Sequence, residues 1–430
     1  MTVAAPEPIT DQWWSTLRDD ALDTLIVESI DVNADLAVAA ARLQQARAVA
    51  DGAAAARRPR LDASAGAARE RNPRSTLRDT DGASASTPPF TQARFSAQLE
   101  VGYEIDLLGR LSLAKQTADA DVEASESDVI ALRRWLAHAV VSAYIDVRLA
   151  DDELLRNRAA QALQHAIVRA ETQRLVAGLS TRSALREAER GLDSLIDAER
   201  LLGTDRELAL TRLAVLLGKA PVDMQLAAQD DYFERNFFTG ALAPGLPAEV
   251  LAGRADVAAA WQRVVAAGID AERTRRARFP ALTLTSNAGY LSQSLRGWLT
   301  GESMAWLVQA SLLTPLLDGG RNQADTERAI AQAGEQHAAY RKVVLQALAE
   351  VENALSELES AQARLALAQA EHRRRIADHE AGRAALRAGT ADRPSVLSAE
   401  LALIDALSNV RRRQRDAMAA WADAHQALGE

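Results

Sequence analysis

The chain has 430 residues, a net charge of −9, 48% apolar residues but only 4% aromatics, and no cysteine. The acidic balance argues against a general nucleic-acid binder, and the lack of cysteine excludes a disulfide framework, a thiolate metal site and a cysteine nucleophile. The sequence has no apolar run of about 18 residues, so no transmembrane helix is expected, and the alanine-rich apolar fraction suits thin, close-packed helical layers.

In chain order, residues 1–32 form an N-terminal segment, irregular through Trp13-Trp14 and then helically spaced at Leu22, Leu25, Ile26 and Ile30. A helix is expected from about Asn33 to Arg58, stopping before Pro59 as helices do. From Leu61 the period changes to two, giving a strand at about 61–68, and a polar loop spans roughly Arg69 to Pro89. A second strand, at about 94–107, alternates Phe95, Ala97, Leu99, Val101, Tyr103 and Ile105 with Ser96, Gln98, Glu100, Gly102, Glu104 and Asp106. Unbroken alternation places one face in an apolar medium and the other in water.

Residues 110–175 contain neither proline nor glycine. They predict a helix roughly 100 Å long at ~1.5 Å per residue, well beyond an ordinary globular helix. A turn at Gly178 leads to a second long helix, 182–217, ended by Gly218 and Pro221. A less regular linker, 219–253, carries Tyr232, Phe233, Phe237 and Phe238 and the PGLP stretch from Pro244 to Pro247. Residues 254–430 then give a helix from about Arg254 to Arg278 and strands at about 281–291 and 305–316, separated by a loop from Ser292 to Met304. Long helices at 321–387 and 395–428 follow.

The two halves repeat one another. YEIDLLGR ends at Arg110 and PLLDGGR at Arg321, 211 residues on; Gly178 answers Gly389, and Leu217-Gly218 answers Leu428-Gly429. Ala34-Asp35-Leu36 with Pro59 matches Ala255-Asp256-Val257 with Pro280 at an offset of 221. Residues 33–218 and 254–430 are thus two copies of one unit. Four strands are too few to close a barrel. Open edges are not sustainable in lipid, so membrane strands here require oligomerisation.

Trp13-Trp14, NADL at Asn33, YEIDLLGR, PGLP, RFPALTL, PLLDGGR and YRKVVLQALAEVENAL from Tyr340 occur in the order and spacing of a known family. In these pieces the chain resembles the TolC-like outer-membrane efflux proteins, particularly the lipoprotein branch of tripartite RND-type systems. The resemblance implies a mixed α+β membrane protein in the cell outer membrane, extending into the periplasm. Three protomers would each give four strands to a twelve-stranded barrel continued by a long helical barrel. The implied function is an exit duct for passive transport of small molecules or drugs. Its partners would be an inner-membrane efflux pump, a periplasmic adaptor and outer-membrane lipid, with no nucleic acid and no cofactor.

Site residues follow from the same resemblance. Arg174, Leu175 and Gly178 fit the family's R-L-x-x-G tip, the expected adaptor contact; Leu386 and Gly389 fit only L-x-x-G, since Ala385 stands where the arginine would be. Each tip glycine also reads simply as a left-handed helix cap. The periplasmic constriction maps onto Thr390, Pro394, Ser398 and Ala184, and the family's aspartate is missing at Ser398 and Ala184. This implies a gate tuned by size and hydrogen bonding. Gly109, Arg110, Gly319, Gly320 and Arg321 mark the strand-to-helix junctions. The N-terminus shows neither signal-peptide features nor the branch's lipidated cysteine, so the chain is expected to be either cytosolic or a mature or trimmed form.

Phe90, Phe95, Tyr103, Tyr290, Trp298 and Trp306 suit an interfacial aromatic belt or ordinary strand positions. Arg57, Arg58, Arg60 and Arg273, Arg275, Arg276, Arg278 suit charge compensation at helix ends, or anionic groups at the inner membrane face. His138, His165, His337, His372 and His379 are scattered without metal spacing and read as solvated or tunnel-facing. No catalytic constellation is present, so the chain is not read as an enzyme. The alternative is a cytosolic or periplasmic long-helix structural protein without channel activity.

Overall fold

A computed structural model of the protein describes residues 12–72, 75–78, 84–87, 90–229, 231–237 and 247–429. A 3₁₀ turn at Trp13–Leu17 precedes α1 (Asp20–Val32) and α2 (Ala34–Ala55). Then come β1 (Arg60–Asn72), β2 (Ser75–Arg78), β3 (Ser84–Thr87), β4 (Phe90–Ile105), α3 (Arg110–Val176) and α4 (Arg182–Leu216). α5 (Tyr232–Arg235) and α6 (Pro247–Gly253) lie in the linker. The second half holds α7 (Ala255–Arg276), β5 (Ala281–Ser292), β6 (Met304–Leu313), α8 (Arg321–Arg387) and α9 (Arg393–Leu428). The duplication persists in the elements: α3 and α8 are each 67 residues, and α2 and α7 each 22.

The chain divides into two compact units. One comprises the residues to Arg42, Ser125–Ala259 and from Tyr340 on; the other comprises Leu43–Ala124 and Ala260–Ala339. The first is helical, and its core gathers Trp13, Leu17, Leu22 and Ile26 with Tyr144, Tyr232, Phe233 and Trp421. Trp13 packs edge-on to Trp421 at 5.4 Å, and Tyr144 likewise to Tyr232 at 5.7 Å, the geometry that ring quadrupoles favour. Two of the linker's carbonyls are bonded by arginines of the helices. Arg148 donates to Ala227 at 2.7 Å and Arg206 to Leu226 at 3.0 Å, and both arginines pair with buried Asp151.

Asn33, the head of the NADL segment, caps α2 by accepting from Asp35 and Leu36 N–H groups, and its amide donates to the Leu216 carbonyl at 3.0 Å. Its counterpart is Arg254, which donates to the Ala427 carbonyl at 2.8 Å, the position equivalent to Leu216. The joint is kept while the residue forming it has changed from a neutral amide to a guanidinium, held by Asp256 and Glu350.

The second unit carries an antiparallel sheet ordered β1-β4-β5-β6. Several boundaries differ from expectation. The strand expected to reach residue 316 ends at Leu313, because Pro315 has no N–H for the ladder. Its first-half counterpart, Glu104, remains paired with Thr283. The polar loop expected from Arg69 is partly strand: β1 runs on to Asn72, and β2 pairs with β3. Ladder bonds are made by backbone, so polar strands outside the membrane carry no apolar period to reveal them. β4 runs from Phe90 to Ile105, leaving Leu107 to a turn, and the loop after Ser292 holds two 3₁₀ turns. α2 and α7 stop at Ala55 and Arg276, short of Arg58 and Arg278. α9 starts at Arg393 with Pro394 in its first turn, where its missing N–H costs nothing. From Trp13 on, the N-terminal segment is helical rather than irregular. Phe238, Pro244 and the side chain of Phe90 lie outside the described residues.

Gly289 on β5 sits between Gln98 and Ala305. A Cβ there would lie 2.1 Å from the Ala97 carbonyl oxygen and 2.6 Å from the Gln98 Cα. Because the obstruction is backbone, β4 itself must move. Gly289→Val is expected to destabilise by roughly 1–3 kcal/mol or more and to reduce the yield of assembled oligomer on semi-native gels. Gly102→Ala, where nothing lies within 4 Å of the added Cβ, should assemble normally.

Candidate functional site: the sheet, its junctions and the helical tips

The register assigns each sheet residue to a face. Leu61, Ala63, Ala65 and Ala67 oppose Val101, Leu99, Ala97 and Phe95. Tyr290, Ala288 and Leu284 continue that face on β5, and Met304, Trp306 and Ala310 on β6. The other face carries Asp62 opposite Glu100, Ser64 opposite Gln98, and Asn287 and Thr285. On β1 and β4 one face is therefore largely apolar and the other polar, the pattern of a membrane strand with a wet interior, while β5 and β6 also place Leu291, Leu307 and Leu313 on the second face. Every β6 residue is exposed, Trp306 at 74% and Leu312 at 63%. β1 and β6 are the two edges of the sheet.

Of the predicted aromatic belt, Phe95 meets Trp298 with ring centroids 6.2 Å apart. Among the described residues, no helix is long and apolar enough to cross a membrane. Of the two arginine clusters, Arg273 pairs with Asp270 and Arg276 with Glu272, each within the last turns of α7. Arg276 also donates to the Leu108 carbonyl at 2.7 Å, locking the first junction.

The junctions rest on two aspartates that the glycine-and-arginine motif did not single out. Asp106 accepts from the N–H groups of Leu111 and Ser112 and from the Ser112 hydroxyl, capping α3. Asp318 accepts from the N–H groups of Gly320 and Asn322, capping α8. Burial opposes it, yet the Ser112 and Leu111 bonds hold the Asp106 carboxyl below the usual range. The Asn322 and Gly320 N–H groups do the same for Asp318. Gly109, Gly319 and Gly320 supply the left-handed backbone at the corner. Arg110 pairs with Glu104 at 2.7 Å, and Arg321 lies 3.9 Å from Asp325. Asp followed by Gly-Arg at a helix start was the available signal.

At the tips both chain reversals use one backbone motif. The Leu179 N–H reaches the Arg174 carbonyl and the Thr390 N–H the Ala385 carbonyl, over Gly178 (φ 70°) and Gly389 (φ 74°). These are paired Schellman-type caps. Thr181 and Asp392, at equivalent positions, cap α4 and α9. Leu175 is half-buried and Leu386 is 37% exposed. Arg174 forms an ion pair with Asp392, so the first tip is tied to the second. The position in the first tip equivalent to Asp392 is Thr181, which carries no charge. Thr390 is exposed in the second tip and donates to the Ala385 carbonyl at 3.1 Å. Ser398 is exposed, Pro394 half-buried, and Ala184 half-buried with its N–H on Thr181.

Two histidines depart from the solvated expectation. His425 is 7% exposed, stacked on Trp13 and edge-on to Trp421, and His138 bonds Asp423 at 2.7 Å. Among the described residues no group of His and carboxylates is arranged to hold a metal.

Residues 25–219 and 246–430 match the outer membrane efflux protein family, and the chain belongs to it. The pyoverdine export outer membrane protein OpmQ of Pseudomonas aeruginosa is 32% identical over 348 residues, 79% of this chain and 70% of that protein. OpmQ of Pseudomonas putida is 30% identical over 437 residues, 100% of this chain and 90% of that one. The solved outer-membrane channel OprN superposes with a TM-score of 0.86 at 27% identity, covering 97% of this chain and 92% of that one. The fold is that of a trimeric outer-membrane channel, four strands per protomer in a β-barrel with a long helical barrel. The protein is an outer-membrane exit duct of a tripartite efflux system, working with a periplasmic adaptor and an inner-membrane pump. Family and relatives are channels rather than enzymes.

Loss of either junction cap is measurable. Asp106→Ala should lower stability by about 1 kcal/mol, the usual worth of a helix N-cap, and Asp318→Ala should lower it in the same direction, both read as a lower thermal midpoint of the detergent-solubilised protein. Asp106→Asn should restore most of it.

Proposed function

We propose that the helical tips are the regulated, partner-facing end of the duct. Arg174, Leu175 and Gly178 of the first tip, with Leu386 and Gly389 of the second, contact the adaptor. Thr390, Pro394, Ser398 and Ala184 line the periplasmic constriction. Gly109-Arg110 and Gly319-Gly320-Arg321 are the transitions from membrane strand to periplasmic helix. Residues 33–218 and 254–430 act as two hairpin-bearing repeats joined by the 219–253 linker. The cargo is a small organic molecule of the kind named for the relatives, pyoverdine for OpmQ and toluene for the Pseudomonas putida protein TtgF.

The observation that carries the gating reading is the Arg174–Asp392 ion pair. It joins two hairpin ends whose separation would widen an aperture, and no covalent link competes with it. Glu171 adds a second carboxylate 3.7 Å from Arg174 and accepts the Ser180 hydroxyl at 2.5 Å. The Arg174 and Asp392 side chains are 33% and 42% exposed, so their pair contributes at most about 1 kcal/mol. That is enough to shift an open–closed population roughly fivefold and little enough for a docking partner to overcome. The lining residues Thr390 and Ser398 offer hydroxyls in place of an acidic ring, so passage is set by width and hydrogen bonding.

Arg174→Ala is expected to raise single-channel conductance in planar bilayers, with the open fraction up roughly fivefold, while trimer yield is unchanged. Conductance equal to the unmodified protein would refute the latch. The pair also predicts a pH response. The Ser395 hydroxyl and N–H, together with Arg174, hold the Asp392 carboxyl below the ordinary carboxylate range. The latch is therefore fully present above that range and is lost as pH falls below it, through the lowered value. Conductance should climb on acidification past that point, and Arg174→Ala should flatten the climb.

A further inference from the structure

The apolar face of the sheet is not uniform. Continuing β1 beyond Ala67 on the same alternation, Arg69 and Arg71 fall on the outward, apolar side, opposite Ala93 and Thr91 of β4. Both are exposed. The acidic residues of the four-stranded sheet, Asp62, Glu70, Glu100 and Glu104, all take the opposite parity and face the polar side. In a chain of net charge −9, the outward face of the described sheet thus carries two positive charges and no negative one. Ordinary solvation does not explain that sorting, because an exposed acidic protein has carboxylates to spare for every wet surface.

Below the arginines on the same face lies an apolar groove of about 570 Å³. Ala63, Ala65, Ala97 and Ala288 form its floor, and Tyr290 and Leu299 rise beside it. It exists because three neighbouring strands put alanines there: Ala63 and Ala65 on β1, Ala97 opposite Ala65 on β4, and Ala288 on β5, with Tyr290 closing one side. From Ala65 to Arg69 is about 14 Å along the strand. Arg69 and Arg71 are about 7 Å apart, and each presents a planar donor fork suited to phosphate oxygens.

We propose that this face binds a phosphate-bearing lipid of the outer leaflet, with an acyl chain in the alanine-floored groove and the head-group phosphate on Arg69 and Arg71. The strand runs from the periplasmic junction at its other end, so Arg69 and Arg71 lie on the far, external side of the apolar band. A phosphorylated lipid headgroup brings both phosphate oxygens for two guanidinium forks and an attached chain long enough to occupy the groove at the same time. The proposal rests on the sheet being the outer-membrane part of the duct. It adds that the channel selects its boundary lipid rather than sitting in whatever surrounds it.

Native mass spectrometry of the detergent-purified trimer tests this with diphosphoryl lipid A and the same lipid stripped of phosphate. The unmodified protein should retain the phosphorylated lipid at least about tenfold better than the dephosphorylated one. The Arg69→Gln/Arg71→Gln variant should lose that preference. Arg94→Gln, opposite Ala68 on the polar face, should keep it. Equal retention of the two lipids, or equal loss in Arg94→Gln, overturns the proposal. Displacement by millimolar inorganic phosphate without loss of the stripped lipid would assign the site to free phosphate and equally overturn it. If the double variant does not trimerise, the two-lipid comparison on the unmodified protein decides alone. Conductance of the unmodified trimer, measured separately, tells failure of the lipid site from failure of the channel.

Discussion

A backbone N–H or C=O facing hydrocarbon has no water to bond, and each one left unpaired costs several kcal/mol. β1 and β6 each present such a row along one side, over 13 and 10 residues. Within one chain nothing can satisfy both rows, since a four-stranded sheet is too narrow to curl onto itself. Joining β1 of one protomer to β6 of the next removes every edge at once, and the trimer follows from that requirement. The apolar outer face, the polar inner face and the exposure of β6 on both sides all become intelligible under it. The alternative of a long-helix structural protein without a channel has no use for two such edges.

Where the period of apolar residues is set by a boundary between two media, the elements were legible in the sequence. The alternation from Phe95 to Ile105 predicted both a strand and its membrane-facing side, and uninterrupted helical composition predicted α3 to within a residue of Val176. Elements with no such boundary were not legible. β2, β3 and the outer part of β1 are short or mostly polar in sequence, so their pairing leaves no clear alternation in hydropathy. Pro315 was visible, but weighing its lost N–H against the repeat pattern required knowing that its neighbour strand was present.

The site residues show the same division. Gly109, Gly178, Gly319, Gly320 and Gly389 were recognisable because left-handed backbone strongly favours glycine. The residues that act through partners distant in sequence were not. Arg174 was chosen as part of a tip motif, while Asp392, 218 positions on, was passed over as an ordinary residue. Asp106 and Asp318 are out of register with the 211-residue offset of the junction motif, because the cap has slipped by one place between the halves. His425 reads as a surface residue until Trp13, from the far end of the chain, is laid against it.

Duplication copies geometry more faithfully than chemistry. The joint closed by Asn33 in one half is closed by Arg254, Asp256 and Glu350 in the other, on equivalent carbonyls. The tips repeat a backbone turn yet share a single charged link. Around the trimer the hairpins therefore alternate, neutral joint then ionic joint, although their backbones are nearly interchangeable. The ring has the outline of a sixfold object and the electrostatics of a threefold one. A ligand that senses only curvature meets six equal places; one that senses charge meets three.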